Sequence, residues 1–376
     1  MKKNKLNLAI VFGAKSCEHE VSIVTAFQAW DWINPQKYHR FLIYIDSNNQ
    51  AYLCPSFSKK DYRHLIEKAL RKKYLVNFVK KGMIIRRGFF KKKVNIDAAL
   101  LLMHGSYGED GRIQGMLDFL EIPYTGSGVL GSSLGMDKVV MKDIFVKMGL
   151  RVTPYEWFWD DEFNNNPKKI TATIEKNLQY PLFVKPANGG SSVGVSKVKN
   201  RQQLEKAIKT ASKFDHKILV EQSVEKAVDI NCALIGGYQP TVSVCEQPLS
   251  EDQFLSFREK YLKGGKTKGM AGLSRIVPAP IPPKATREIQ EIAKLIFREL
   301  GCWGMARMDF LYQEKTGKIY PNEINTIPGS LSFYLWQASG IKPPQLIDKM
   351  VELALQKEKE TNSLSYTFKS KILDQK

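Results

Sequence analysis

Two stretches, Arg307-Met308-Asp309-Phe310 and Asn322-Glu323-Ile324-Asn325-Thr326-Ile327-Pro328-Gly329-Ser330, are joined through the turn sequence Glu314-Lys315-Thr316-Gly317. They read as two short strands of a hairpin. Residues two apart on a strand share a face, so Arg307 and Asp309 point one way, as do Glu323 and Asn325. If those faces coincide, two carboxylates, an amide oxygen and a guanidinium meet at one spot. Such a set suits a hard cation such as Mg²⁺, with the arginine placed against phosphate charge. Pro328-Gly329-Ser330 could turn backbone N–H groups toward it. Taken in isolation, an exposed polar sheet face is the simpler reading. Pro321 adds a constraint, because proline cannot donate to a ladder and its strand should lie at an edge or begin there.

Outward from this hairpin, a helix is expected from about Thr286 to Leu300. The stretch Phe254–Met270 carries Arg258, Lys260, Tyr261, Lys263, Lys266 and Lys268 among glycines. It suits a lid over an anionic ligand; a disordered basic loop is the competing reading. Ile218–Val220 reads as a strand ending in Glu221, and Asp229 opens the next, Ile230–Ile235. Acids at strand ends can accept from a ribose or an adenine amino group. Pro181–Pro186 reads as a strand with Lys185 near its end. It runs into Ala187-Asn188-Gly189-Gly190-Ser191-Ser192-Val193-Gly194, a loop rich in unencumbered N–H and hydroxyl donors. Such loops cradle phosphates, although this one is neither G-x-x-x-x-G-K-[ST] nor G-x-G-x-x-G. A mobile hairpin is the alternative.

Toward the N-terminus, Leu6–Phe12 is a strand that opens into Gly13–Glu20 and a helix. Tyr38–Ile45 is a second strand. Ala98–Met103 is a continuous apolar run of the kind buried on both faces of a parallel sheet, and it ends at His104-Gly105-Ser106-Tyr107-Gly108-Glu109-Asp110-Gly111 before a helix from Arg112. Repetition of strand, glycine loop and helix predicts an open parallel α/β domain. Ligands of such sheets bind beyond the carboxyl ends of the strands, where Glu18 and His104 fall. Singly, Glu18 reads as a helix N-terminal acid and His104 as a structural histidine. Tyr124–Gly128 is a plausible domain boundary, and Met136-Asp137-Lys138 opens a helix to about Met148.

The 376 residues carry 57 Lys+Arg against 38 Asp+Glu, a net +19. That balance raises nucleic acid, anionic membrane or phosphate-rich ligands as partners. Residues 59–93 hold fourteen Lys/Arg and two acids, Asp61 and Glu67. They lack the basic–aromatic interleaving of single-strand binders, so a solvated basic elaboration of one domain is expected, with no nucleic-acid partner. Five cysteines without framework spacing point to a reducing compartment. The lysine-flanked N-terminus imitates a signal peptide, but its apolar run is short and leads to no small-residue cleavage site. No run is long enough to span a membrane, so a cytoplasmic protein without a membrane partner is expected. Residues 357–376 read as a polar tail.

Taken together, the ordered motifs resemble the D-alanine–D-alanine ligases of the ATP-grasp superfamily. The pieces are E-H-E-V-S at 18–22, H-G-x-x-G-E-D-G at 104–111, Y-T-G-S-G at 124–128, M-D-K at 136–138, V-K-P-A-N-G-G-S-S-V-G at 184–194, K-Y at 260–261, A-R-M-D-F at 306–310 and N-E-I-N-T-I-P-G-S-L at 322–331. The resemblance implies an α/β, three-domain ATP-grasp ligase. Its parts would be an N-terminal α/β domain (1–126), a central subdomain (127–220) and a C-terminal subdomain (221–356) with a lid at 254–270. It also implies ATP and two Mg²⁺ or Mn²⁺ ions as cofactors, two molecules of D-alanine as substrates, a D-alanyl phosphate intermediate and a homodimer. By the same resemblance, Asp309, Glu323 and Asn325 match the metal ligands. Arg307 and the Gly329 N–H match the oxyanion hole. Lys138, Lys185, Gly190, Ser192, Glu221, Asp229, Lys260 and Asn322 match the ATP site, where aspartate at 229 is shorter than the usual glutamate. Glu18, Ser191 and Tyr261 match a hydrogen-bonded set closing the two loops. Glu18, His104, Ser330 and Leu331 match the substrate contacts, the last two through a gap placed after Gly329. Tyr261 favours an amine as second substrate; D-lactate or D-serine is the alternative within the superfamily, and a basic nucleic-acid-binding protein the alternative outside it.

Overall fold

The computed structural model describes residues 5–54, 66, 67, 70, 74–249, 274–370 and 372. The first unit runs β1 (Leu6–Gly13), α1 (His19–Trp32), β2 (Tyr38–Ile45), β3 (Ala51–Leu53), β4 (Leu75–Val79), β5 (Gly82–Arg87), β6 (Phe90–Asn95) and β7 (Ala98–Leu101). Its strands form one sheet in the order β6-β5-β4-β3-β2-β1-β7. Leu8, Ile10 and Phe12 of β1 pack into one core and Ala9 and Val11 into another, so the strand is apolar throughout. The expectation of a parallel sheet holds for β2-β1-β7. From β2 through β6 the pairing is antiparallel, and β4, β5 and β6 follow one another through tight turns at Lys80-Lys81 and Gly88-Phe89, too short for a crossover.

The chain continues through α2 (Arg112–Phe119), α3 (Val129–Met136), α4 (Lys138–Lys147), β8 (Tyr155–Trp159), α5 (Asp160–Asn165), α6 (Pro167–Asn177), β9 (Leu182–Pro186), β10 (Ser196–Val198), α7 (Arg201–Ala211) and β11 (Lys217–Gln222). Here the sheet order is β10-β9-β11-β8, all antiparallel. Leu182 and Val184 of β9 face the helices α6 and α7, which leaves Phe183 and Lys185 on the open face.

The last unit comprises β12 (Ala227–Gly236), β13 (Thr241–Val242), β14 (Gln247–Pro248), β15 (Arg275–Ile276), α8 (Pro283–Glu299), β16 (Gly304–Gln313), β17 (Lys318–Asn325), α9 (Phe333–Ala338) and α10 (Pro343–Asn362). Helix α8 starts three residues before the expected position, since proline is tolerated in a first turn. It buries Ala285, Ile289, Ala293, Ile296 and Phe297 against Cys232, Leu234, Ala306, Met308 and Phe310 from the back of the sheet β13-β12-β16-β17. Strand β17 is an edge, as Pro321 requires. Helix α10 runs through Asn362, six residues into the expected tail, because Gln356–Glu360 are strong helix formers. Leu335, Trp336, Leu346, Ile347 and Met350 return to the core of Leu8 and Ile10, closing the end of the chain onto its first sheet.

Candidate active site

In the hairpin of β16 and β17, Arg307 lies opposite Asn325 and Asp309 opposite Glu323, so the two polar faces coincide. A bulge makes this possible. Phe310 pairs with Pro321 and Asp309 with Glu323, which leaves Asn322 as the extra residue. Without it, alternation from Tyr320 would have turned Glu323 toward the core; with it, Asn322 and Glu323 both line the same cleft. On β12, Asp229 and Asn231 lie opposite Leu311 and Asp309 and extend that polar face.

The facing wall comes from the central sheet. Lys185 lies opposite Leu219 and diagonal to Glu221, to which it is hydrogen-bonded. The other Glu221 oxygen accepts from Lys142 Nζ and from Thr153 Oγ1, each at 2.9 Å. A buried lysine, Lys142, and a half-buried one, Lys185, thus share one carboxylate. Burial lowers Lys142 to about 8 and, with repulsion from Lys142, lowers Lys185 to about 7. Asp137 caps α4 by accepting from the Val139 and Val140 N–H groups at 3.0 and 3.1 Å, and Lys138 Nζ donates to the Gly189 carbonyl. Lys138, Lys185, Gly190, Ser192, Glu221, Asp229, Arg307, Asp309, Asn322 and Glu323 therefore line one cleft between two sheets. Asn325 lines a smaller adjoining hollow with Glu323, Lys138 and Glu109.

Glu18 lies buried at the start of α1, and Ser191 of the glycine loop donates to its carboxylate. This contact explains two glycines. A Cβ on Gly190 would sit 2.3 Å from Glu18 Oε2, and one on Gly105 2.5 Å from the same atom. Glu109 reaches the same region, accepting from the Gly105 and Ile327 N–H groups at 2.9 and 2.8 Å. Burial, reinforced by the Glu18 charge, pushes its carboxyl above the usual carboxylate range.

His104 is buried, with both ring nitrogens engaged. Its Nδ1 is 2.7 Å from the Ile327 carbonyl and must carry the proton; its Nε2 then accepts from Thr25 Oγ1 at 2.9 Å. Burial lowers the imidazole to about 4, which keeps it neutral. The Thr25 oxygen in turn accepts from the Ser330 N–H at 3.2 Å. The chain of bonds thus runs from Ser330 through Thr25 and His104 to Ile327. Beyond Gly329, the residues Ser330, Leu331 and Ser332 have φ of 51°, 52° and 46°, a left-handed turn built without glycine. The Leu331 side chain lies in the hydrophobic core, and Ser330 is buried beside Thr25. Lys260 and Tyr261, with the rest of the expected lid, lie outside the described residues.

Sequence reasoning passed over Thr25, Lys142, Thr153 and Asn231, and gave Glu109 no role. Lys142 had a signal: it stands four residues after Lys138, on the same helix face. Thr25 had none, since its partners are 79 and 305 residues away.

Asp309, Glu323 and Asn325 form an all-oxygen donor set, which fits a hard divalent cation. Among the described residues no three acidic, histidine or cysteine side chains gather as a metal cage. Two carboxylates and an amide, completed by substrate oxygens, match the way Mg²⁺ is usually held. Arg307 Nε and Nη2 donate to the two Asp309 oxygens at 2.6 Å each, and Asn325 Nδ2 donates to Asp309 Oδ2 at 3.2 Å. A cation at Asp309 therefore competes with Arg307.

Family models described as the N-terminus and the C-terminus of D-ala D-ala ligase match residues 7–127 and 144–352. The D-alanine--D-alanine ligase of Thermosipho melanesiensis is 40% identical over 364 residues, covering 96% of each chain. That of Bacillus cytotoxicus is 36% identical over 371 residues, covering 96% of this chain and 99% of its own. Among solved structures, the D-alanine-D-alanine ligase of Coxiella burnetii superposes with a TM-score of 0.81 at 26% identity, over 96% of this chain and 97% of that one. The VanG D-Ala:D-Ser ligase of Enterococcus faecalis gives 0.79 at 29% identity, over 93% of this chain and 100% of that one. With both family models matched in order, and relatives aligned along nearly its whole length, the chain belongs to the D-alanine–D-alanine ligase family.

Proposed function

We propose that this protein is an ADP-forming ligase that joins two D-alanines through a D-alanyl phosphate, in the cytoplasm, for peptidoglycan precursors. The observation that carries this reading is the single cleft in which Lys138, Lys185 and Glu221 face Arg307, Asp309 and Glu323. Amide formation from a carboxylate and an amine in water is uphill. Phosphorylation supplies a leaving group, and the protein's share of that step is positioning and charge neutralisation. On this reading Lys138 and Lys185 take the ATP phosphates under Gly190 and Ser192, with Lys260 and Asn322 nearby. Glu221 and Asp229 take the adenosine side. Three hydrogen bonds already reach the Glu221 carboxylate, leaving about one acceptor site for adenosine.

Asp309, Glu323 and Asn325 would hold Mg²⁺ or Mn²⁺, whose charge offsets that of the phosphate oxygens when bound. Arg307 then turns from Asp309 toward the transferring phosphate and, with the Gly329 N–H, toward the tetrahedral oxygen. Glu18, held by Ser191 and aided by Tyr261, accepts from the ammonium of the first D-alanine. Of the expected contacts to the second carboxylate, the Leu331 side chain is in the core and the Ser330 and Leu331 N–H groups donate to Thr25 Oγ1 and the Pro328 carbonyl, so the Ser330 hydroxyl is the group that would meet it. A homodimer is supported by an apolar patch of Met116, Phe119, Val129 and Leu130 exposed on the adjacent helices α2 and α3.

ADP release with D-alanine, D-serine and D-lactate offered in turn as acceptor tests the reading. D-Alanine should be preferred; preference for D-serine would move the chain toward the chemistry named for VanG. Arg307→Ala should lower turnover roughly 10²–10³-fold, the scale of losing one oxyanion donor. A near-normal rate overturns the assignment of Arg307.

A further inference from the structure

The β5–β6 hairpin ends in Arg86-Arg87-Gly88-Phe89-Phe90-Lys91-Lys92-Lys93, and the ligase reading uses none of it. Arg87 pairs with Phe90, so Gly88 and Phe89 form a two-residue loop, with Gly88 at φ +57°. Phe89 is 103% exposed at the apex and Phe90 is 84% exposed beside it. All five cations are exposed. Arg86 is paired with Lys91, Ile85 with Lys92 and Ile84 with Lys93, so the lysines alternate between the two faces of the ribbon. Arg87 lies 5.0 Å from the centre of the Tyr74 ring, and among the described residues none of the five forms an ion pair.

We propose that this tip is a contact point for the surface of an anionic lipid bilayer. Lysines on an edge strand are an ordinary guard against strand pairing, which accounts for those on β6. That guard does not explain two arginines on β5, an interior strand, and it is undone by two phenylalanines at the apex. A bilayer interface takes both features: the rings enter the headgroup–acyl boundary while the cations behind them meet lipid phosphates. Bases stacking on aromatic rings need a platform or groove, whereas these rings stand on a convex apex. A second copy of the chain would bring the same five cations against themselves. The sequence-based expectation of no membrane partner rested on spans. Among the described residues no helix is long and apolar enough to cross a bilayer, but a surface contact needs none. The proposal stands apart from the ligase reading.

Co-sedimentation of the full chain with vesicles tests it, using phosphatidylcholine alone and phosphatidylcholine mixed with phosphatidylglycerol. The chain should pellet with the mixed vesicles at low salt and stay in solution with phosphatidylcholine alone. The double substitution Phe89→Ser/Phe90→Ser should weaken binding about tenfold or more, the scale of withdrawing one phenylalanine from an apolar phase. Lys91→Glu/Lys92→Glu should weaken it further, and each variant should keep the thermal midpoint of the unsubstituted chain. Equal binding to both vesicle types, or anionic binding unaffected by the phenylalanine pair, overturns the proposal. So does a phenylalanine-dependent affinity that is tighter for single-stranded RNA than for vesicles. Loss of self-association in the Phe89→Ser/Phe90→Ser chain would assign the tip to a second copy instead.

Discussion

His104 shows what a motif conveys and what it leaves out. Its place after β7, beside the loop that carries Glu18, was legible from the order of strand and glycine loop. Its chemistry was not, because the atoms that decide it come from α1 and from the turn after β17. With Nδ1–H given to Ile327 and Nε2 filled by Thr25, the imidazole has no nitrogen left for substrate. It acts as a strut, and Thr25 is the residue that completes it. Thr25→Val keeps the shape but leaves His104 Nε2 and the Ser330 N–H unpaired. At about 1–3 kcal/mol for each such group, the loss should be about 2–6 kcal/mol of stability. The turn would also be released, so KM for the acceptor D-alanine should rise more than KM for ATP. Thr25→Ser, which retains the hydroxyl, should restore both. Denaturant unfolding and ADP-release kinetics on the two variants separate this role from simple filling of space; equal kinetics for valine and serine would exclude it.

At the level of elements, the hairpin was readable in its ends and turn but not in its register. Alternation of residues predicts which side chains share a face on a regular strand. It cannot foresee the extra residue that lets Asn322 and Glu323 face the cleft together. Pro321 was the local clue, since it marks the edge where such a bulge is tolerated. The turn that follows is a second departure from regular rules. Left-handed φ costs about 1–2 kcal/mol per non-glycine residue, and three stand in a row. The opposing term is burial: Leu331 is 0% exposed and packs with Leu335 and Trp336. The two terms can be separated by substitution. Ser332→Gly removes one strained φ and a buried hydroxyl that has no hydrogen-bond partner among the described residues, against a glycine entropy cost of about 0.5–1 kcal/mol. It should stabilise the protein by about 1 kcal/mol. Leu331→Gly relieves the same strain but empties a packed site, which costs about 2–5 kcal/mol. It should destabilise the protein, and thermal unfolding of the pair shows which term prevails at each position.

On the scale of the molecule, each sheet contributes groups that have little meaning alone, and the buried electrostatics come from their assembly. The acids and lysines could be listed from the sequence. That Lys142, buried, and Lys185, on the cleft wall, would share Glu221 depended on α4, β9 and β11 meeting at one place. The consequence can be measured. Lys185, lowered to about 7, is mostly neutral at pH 8, and Lys142, lowered to about 8, is about half charged. A polyphosphate beside them favours the ammonium forms and raises both values, whereas the nucleotide is itself fully ionised at pH 8 and has little proton to release. Binding of a non-hydrolysable ATP analogue at pH 8 should therefore take up about one proton, and uptake should fall toward zero near pH 6, where both lysines are already charged. Calorimetry in buffers of different ionisation enthalpy gives that number directly. Lys185→Arg keeps the charge but cannot titrate, so it should remove most of the uptake while leaving a measurable affinity. Uptake that persists undiminished in Lys185→Arg, or proton release at pH 8, would mean that the phosphates are met elsewhere in the cleft.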